Sequence, residues 1–196
     1  MTLLSIITAF FIGSIPTGFI LAKKFRGVDI RTQGSGNIGS TNVRRVLGHK
    51  LSVATQVFDI LKGLIPVAVS IAIYKNGLIN MDYSLFISLV ALATILGHNF
   101  TPFLSFKGGK GVNTTLGAFF LLNPLSIVVG VGTYFLLKYF TKIVSIRSMA
   151  LGIALPITCI LTKSDTTITI AATLCALLII VRHKSNIIRL INGTEK

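Results

Sequence analysis

Residues 112–137 read VNTTLGAFFLLNPLSIVVGVGTYFLL and carry no charged side chain. A stretch of this kind is suited to the hydrocarbon interior of a bilayer, where only a helix or a closed barrel satisfies the backbone. Asn123-Pro124, near the middle, is a typical turn pair. We interpret the stretch as a helical hairpin whose two limbs are each short for a full crossing.

The remainder of the chain is equally apolar. Hydrophobic residues make up 52% of the 196 residues and charged residues 12%, about half the charged fraction of an ordinary soluble domain, and the mean hydropathy is +0.82. The first apolar run begins at Leu3 without a basic segment before it, which indicates a retained span rather than a cleaved signal. We predict one all-α polytopic membrane domain over residues 1–196. Its other apolar runs are 2–22, 51–74, 83–105, 143–162 and 166–181.

The net charge of +14 would suggest nucleic acid in a soluble protein. Here, sixteen of the nineteen basic residues lie in four polar segments, 23–50, 106–111, 138–147 and 182–196, so the charge first indicates topology. The positive-inside rule places those segments in the cytoplasm and the nearly neutral loops 75–82 and 163–165 outside. Because 112–137 joins two cytoplasmic segments, it crosses an even number of times. The prediction is about seven transmembrane helices with the N-terminus outside and the C-terminus inside.

The longest polar segment contains GSGNIGSTNVRR at 34–45. Its G-x-G-x-x-G pattern is not a dinucleotide fingerprint, because membrane spans flank it where a βαβ unit is required. Glycines nevertheless allow backbone N–H groups to face an anion, and an arginine fork suits phosphate. The alternative is a flexible loop whose arginines only set topology. The candidate site residues here are Gly34, Ser35, Gly36, Asn37, Thr41, Asn42 and Arg45.

A second glycine-rich segment, FKGGKGV at 106–112, follows GHNF at 97–100. It lacks the spacing of a Walker A loop, but glycines around a lysine before a helix still favour phosphate binding. The alternative is a tight turn with two topogenic lysines, and His98 is expected to be a structural hydrogen-bonding residue. The candidate phosphate-binding residues are Lys107, Gly108, Gly109, Lys110 and Gly111.

Three smaller patterns remain. The tail RHKSNIIRL at 182–190 would place Arg182, Asn186 and Arg189 on one helical face, where an amphipathic membrane anchor is the alternative to a site. Asp59 and Lys62, three residues apart inside a span, are expected to pair or to face a polar cavity. Ser145 and Ser148 flank Arg147 at the predicted cytoplasmic face.

Together, and in this order, the motifs resemble those of the bacterial acyl-phosphate:glycerol-3-phosphate acyltransferases, the PlsY family. The resemblance rests on 34–45, 97–100, 106–112, VSIRS at 144–148, and the tail with its following GTE. It covers the whole chain and implies a seven-span helical domain with cytoplasmic motifs. The departures are Ser40 where the family usually has Ala, Asn113 where Ala is usual, and Arg147 where a small residue is common.

The resemblance implies a reaction at the bacterial cytoplasmic membrane. The sn-1 hydroxyl of glycerol 3-phosphate attacks a long-chain acyl phosphate, giving lysophosphatidic acid and phosphate, without cofactor, metal or nucleic acid. Its one suggested protein partner is a soluble enzyme that produces acyl phosphate. By resemblance, Arg45 and Lys110 bind phosphate, and Gly108, Gly109 and Gly111 supply backbone amides. The catalytic candidates are Ser35, Ser145, His183 and Asn186, with His183 either a general base or a hydrogen-bond donor.

The rival interpretation is a small transporter or channel for anionic solutes, since seven spans with basic motifs would fit it too. Such a protein needs polar residues facing both sides of the membrane. The outer loops 75–82 and 163–165 are short and nearly free of motifs, which favours an enzyme with a one-sided site. The H-x-x-x-x-D motif of other glycerolipid acyltransferases is missing after all three histidines. Positions +5 hold Ala54, Phe103 and Ile188.

Overall fold

A computed structural model describes residues 1–195. Within them the chain is helical, with no strand. The ten α-helices are α1 Thr2–Ser14, α2 Thr17–Arg26, α3 Ser40–Leu47, α4 His49–Lys75, α5 Tyr83–Asn99, α6 Val112–Leu122, α7 Pro124–Leu136, α8 Val144–Leu161, α9 Thr166–Arg182 and α10 Lys184–Ile191. Three single-turn 3₁₀ helices cover Ile30–Thr32, Pro102–Leu104 and Leu137–Tyr139.

Four helical stretches are long and apolar enough to cross a membrane: Thr2–Arg26, His49–Lys75, Tyr83–Leu104 and Val144–Leu161. A fifth is counted if α9 and α10, bent by 55°, form one span. The helices α6 and α7 are apolar but shorter. Large apolar side chains on the outer helix faces, such as Val128 and Leu161, are exposed in the isolated chain, as expected for contact with lipid. The all-α membrane fold predicted from the sequence is therefore confirmed.

The apolar stretch 112–137 breaks at the predicted turn, because α6 ends at Leu122 and α7 begins at Pro124. Proline suits the first position of a helix, where its missing N–H is not needed. The Asn123 side chain caps α7 by accepting from the Ser126 N–H at 2.8 Å, and it donates to Ser164 Oγ at 2.7 Å. The break between α6 and α7 therefore lies beside the loop that joins α8 to α9.

Glycines bring two pairs of helices into close contact. On α4 and α6, Gly63 packs against the Thr114 carbonyl and Gly117 against the Ile60 carbonyl, leaving no room for a Cβ. The α1–α5 contact repeats this arrangement with Gly13 and Gly97. Small residues at such contacts allow helices to approach closely in a membrane, where van der Waals packing drives association. These contacts fix α4, α5 and α6, which carry polar residues of the site.

Candidate active site

The four basic segments meet at one cavity of about 390 Å³. Ten of the residues predicted from the sequence line it: Ser35, Asn37, Thr41, Asn42, Arg45, Lys110, Gly111, Ser145, His183 and Asn186. Gly36 lines an adjoining cavity of about 450 Å³ that shares Ser35, Asn37, Lys110 and Asn186 with the first. Gly34, Lys107, Gly108 and Gly109 line neither. The structure thus brings together motifs far apart in sequence.

Asn42 holds the first glycine-rich segment in shape. Its amide nitrogen donates to the carbonyls of residues 30, 33 and 37 at 2.9–3.2 Å, and its Oδ1 accepts from the Ser35 N–H at 2.8 Å. Gly34, at φ +59°, lies against the Asn42 side chain where a Cβ would overlap. The expectation that Asn42 offers a hydrogen-bond donor to an anion is wrong, because its amide is used inside the loop. Asn42 and Gly34 shape the loop that presents Ser35 and Arg45.

The second glycine-rich segment is also held by internal hydrogen bonds. The Gly108 N–H donates to the Asn99 carbonyl at 3.2 Å, and the Gly109 N–H donates to the His98 carbonyl at 3.0 Å. The prediction that these two amides bind an anion is therefore wrong, since both are already engaged. Lys107 is exposed and lies away from the cavity, which also contradicts its predicted role. Gly111, in the left-handed region at φ +82°, directly precedes α6 as its N-cap and does line the cavity.

Arg182 clamps this loop from another part of the chain. Its Nε and Nη2 donate to the Gly109 and Gly108 carbonyls, both at 2.9 Å, and its guanidinium carbon lies 5.2 Å from the centroid of the Phe100 ring. A planar guanidinium suits such a two-pronged contact. Arg182 is the last residue of α9, so the clamp joins the glycine loop to the bend that carries His183. The sequence pattern had not indicated this contact.

Lys110 projects from the same loop into the cavity, where its Nζ donates to Asn186 Oδ1 at 2.6 Å. Burial lowers the pKa of Lys110 to about 8; the charge of Glu195 opposes this effect, and the charges of nearby arginines, Arg45 among them, add to it. Arg45 and Lys110 line the same cavity. Two cations on one cavity, of which Lys110 is partly buried and Arg45 exposed, form a site suited to phosphate.

His183 lies at the 55° bend between α9 and α10 and is only 2% exposed. Its Nδ1 is 2.7 Å from the Ile179 carbonyl oxygen. Because a carbonyl only accepts, Nδ1 carries the proton, and in the neutral ring Nε2 is left with a lone pair. His183 also lines the cavity. The geometry thus presents Nε2 as a hydrogen-bond acceptor.

Glu195 draws two predicted catalytic residues together. Its Oε1 accepts from Ser145 Oγ at 2.9 Å and from Asn186 Nδ2 at 2.5 Å, and its Oε2 accepts from Arg189 Nε at 2.6 Å. Burial raises the pKa of Glu195, but hydrogen bonds from these partners outweigh it and the net pKa is lowered. Glu195 is therefore an ionised anchor for both residues. The GTE motif at 193–195 is visible in the sequence, but its pattern does not predict a role for Glu195.

A buried ion pair lies deeper in the cavity. Lys62 Nζ is 2.8 Å from Asp59 Oδ1 and also donates to the Ile15 carbonyl at 2.7 Å. Asp59 additionally accepts from Thr17 Oγ1, and both Asp59 and His98 line the cavity. The sequence predicts that Asp59 and Lys62 pair or face a polar cavity, and Asp59 does both. Pairing of this kind offsets the cost of a charge at membrane depth.

These features define an all-helical membrane protein with a cationic cavity at the convergence of its basic segments. Residues 3–193 match the sequence model of the family described as glycerol-3-phosphate acyltransferase. The chain therefore belongs to the glycerol-3-phosphate acyltransferase family, whose members are acyltransferases. This confirms the family resemblance predicted from the motifs and decides against the transporter interpretation.

Individual relatives agree with this assignment. The chain is 52% identical to a glycerol-3-phosphate acyltransferase of Clostridium acetobutylicum, over all of this chain and 99% of the relative. It is 43% identical to one of Fusobacterium nucleatum, over 97% and 94% of the two chains. It is also similar to crystal structures of PlsY (YgiH), an integral membrane glycerol 3-phosphate acyltransferase. The TM-scores are 0.90 for the glycerol 3-phosphate form and 0.87 for the lysophosphatidic acid form, at 35% identity, covering all of this chain and 94% of those.

Proposed function

We propose that this protein transfers a fatty acyl group from acyl phosphate to the sn-1 hydroxyl of glycerol 3-phosphate in a bacterial cytoplasmic membrane. The products are lysophosphatidic acid and inorganic phosphate. The observation that carries the proposal is the convergence of Arg45, Lys110, His183 and Asn186 on one cavity, in a member of this family. Both substrates and both products contain phosphate, which the paired cations of the cavity suit. A soluble enzyme that makes acyl phosphate is the expected source of the donor.

In the proposed reaction, Arg45 and Lys110 hold phosphate while the neutral His183 accepts a hydrogen bond from the attacking hydroxyl at Nε2. The hydroxyl oxygen bonds to the acyl carbonyl carbon, and the bond from that carbon to the phosphate oxygen breaks. The electron pair leaves with phosphate, which also takes the hydroxyl proton. An acyl phosphate already has a good leaving group, so positioning and charge stabilisation supply most of the catalysis.

We propose direct transfer, without an acyl-enzyme. A side-chain nucleophile needs an activating base beside it. Ser145 does have a carboxylate neighbour, but the lowered pKa of Glu195 makes that carboxylate a weak base. Both cysteines, Cys159 and Cys175, are buried in helices α8 and α9 away from the cavity lining. The acyl group therefore passes from donor to acceptor within a ternary complex.

We further propose seven crossings, with the N-terminus outside and the cavity facing the cytoplasm. Gly111 before α6 and Phe135 near the end of α7 both line the cavity, whereas Asn123 between them contacts Ser164 of the predicted outer loop. This supports a hairpin that leaves the cavity end and returns to it. Single cysteines at Asn76 and Ser164, in a Cys-free background, should react with an impermeant thiol reagent added outside. Cysteines at Gln33 and Ser185 should not, and outside labelling at Gln33 would overturn the orientation.

The function is tested with the purified protein in detergent. Supplied with glycerol 3-phosphate and palmitoyl phosphate, it should form lysophosphatidic acid and release one phosphate per product. Palmitoyl-CoA should be a poor donor, because its thioester lacks the phosphate that the cations would hold. Efficient turnover of palmitoyl-CoA but not of palmitoyl phosphate would show that the proposed donor is wrong.

A further inference from the structure

Arg147 lies in the first turns of α8 and lines the cavity between Ser145 and Ser148. It is only 7% exposed, which is unusual for an arginine. The mechanism proposed above gives it no role. Its surroundings show what a guanidinium at this position can bind.

Arg147 has few partners for a buried cation. Among the residues that the structure describes, its Nε has no hydrogen-bond partner, and its Nη2 makes one long contact of 3.4 Å to the Lys142 carbonyl. By contrast, Arg31 pairs with Asp29 and Arg189 with Glu195, each at 2.6 Å. A buried charge is costly when no opposite charge or full set of hydrogen bonds compensates it. The donors of Arg147 are therefore suited to an anion in the cavity.

The ring of Tyr134 fixes the direction of this guanidinium, whose Cζ lies 4.8 Å from the ring centroid. Stacking of this type holds a guanidinium plane in place while its edge remains able to donate hydrogen bonds. Tyr134 comes from α7 and Arg147 from α8. The same two helices supply apolar lining to the cavity through Val131, Phe135 and Leu151.

A basic group beside an apolar wall matches a molecule with a phosphate head and an acyl chain. Resting on the proposed function, we propose that Arg147 is an additional phosphate-binding residue for the lipid phosphate of this reaction. Its guanidinium binds the head, and the chain lies along the wall from α7 and α8. Glycerol 3-phosphate has no chain to lie there, so Arg147 does not contribute to its binding. The lipid phosphate is that of the donor acyl phosphate, because the phosphate of lysophosphatidic acid is the one that glycerol 3-phosphate brings.

The test compares Arg147→Met, Arg147→Lys and the wild type in detergent. Arg147→Met removes a charge-assisted hydrogen bond to the lipid phosphate, so the KM for palmitoyl phosphate should rise about tenfold. A rise in the KM for palmitoyl phosphate supports the assignment, whereas a rise only in the inhibition constant of lysophosphatidic acid would overturn it. The KM for glycerol 3-phosphate should change less than twofold. Arg147→Lys should recover part of the loss, since it restores charge without the fork.

Lys142→Met is the matched control, because it removes an exposed cation from the same end of the molecule while keeping the carbonyl beside Arg147. It should leave both lipid constants unchanged. If Arg147→Met does not fold, Tyr134→Leu provides the second variant, and the same constant should rise by a smaller factor. Unchanged lipid constants, or equal rises for lipid and glycerol 3-phosphate, would overturn the assignment. In that case the wild type would still turn over palmitoyl phosphate, so the role of Arg147 could be wrong while the proposed acyltransfer reaction is right.

Discussion

The two glycine-rich segments look alike in sequence but are held in different ways. The segment 34–45 is fixed by its own Asn42, which bonds to four backbone groups from residues 30 to 37. The segment 106–111 is fixed from outside by Arg182, about seventy residues further along the chain. The first loop is therefore self-contained, whereas the second depends on the bend that also carries His183. In both, glycines shape the backbone and a cationic side chain faces the cavity.

The largest effect should come from removing either cation. Arg45→Ala and Lys110→Ala should each lower kcat/KM at least ~100-fold, or roughly 2.7 kcal/mol, because each removes a charge that binds phosphate in the cavity. Steady-state kinetics with palmitoyl phosphate and glycerol 3-phosphate measure this. Lys107→Ala, in the same loop as Lys110 but exposed, should cost about threefold or less. Equal, mild losses at all three positions would reduce these residues to topogenic charge.

The next largest effects come from the residues that hold the two glycine-rich loops, Arg182 for 106–111 and Asn42 for 34–45. Arg182→Lys keeps the charge but loses the two-pronged contact to Gly108 and Gly109, so kcat/KM should fall about tenfold with a small change in thermal midpoint. Asn42→Ala removes the buried side chain that bonds to four backbone groups of the first loop, so the free energy of unfolding should fall by about 2 kcal/mol or more. Thermal unfolding in detergent and kinetics on the same samples distinguish them.

Asn42→Asp is the matched variant for the first loop. It keeps an acceptor for the Ser35 N–H but loses the donors to the three carbonyls, so its thermal midpoint should also fall. If Arg182→Lys instead lowered the midpoint as much as Asn42→Ala while kcat/KM per folded molecule stayed constant, the clamp would be only structural.

The smallest effect concerns pH. Lys110 is charged below its pKa of about 8 and neutral above it, so kcat/KM for glycerol 3-phosphate should decline as pH rises through about 8. The kcat/KM profile reports the pKa values of groups in the free enzyme. Lys110→Arg should abolish this decline, because a guanidinium stays protonated over that range. A decline that persists unchanged in Lys110→Arg would assign the titration to another group.

The sequence was sufficient to predict features governed by local pattern and solvent preference. The helical membrane fold and the break at Asn123-Pro124 follow from hydropathy and turn chemistry, and the distribution of charge predicts that the four basic segments share one side of the membrane. The separate uses of Lys107 and Lys110 could not be predicted, because both flank the same glycines in sequence. Only the folded backbone shows that Lys107 is exposed while Lys110 reaches Asn186.

The contacts that organise the site also could not be predicted from the sequence. Glycine spacing suggested free amides at Gly108 and Gly109, but those amides bond to Asn99 and His98. The clamp by Arg182 and the anchor at Glu195 join segments through tertiary packing, and no local periodicity encodes such pairings. For Glu195, the only available signal was its place after the tail motif, which gives no partner.

The central claim is direct acyl transfer from acyl phosphate within this cavity. The most direct measurement incubates the purified Cys159→Ala, Cys175→Ala protein with acyl-labelled palmitoyl phosphate, before and after addition of glycerol 3-phosphate. The account predicts no acyl label on the denatured protein beforehand, and labelled lysophosphatidic acid at near wild-type rate afterwards. A stoichiometric acyl-enzyme formed without glycerol 3-phosphate would contradict it.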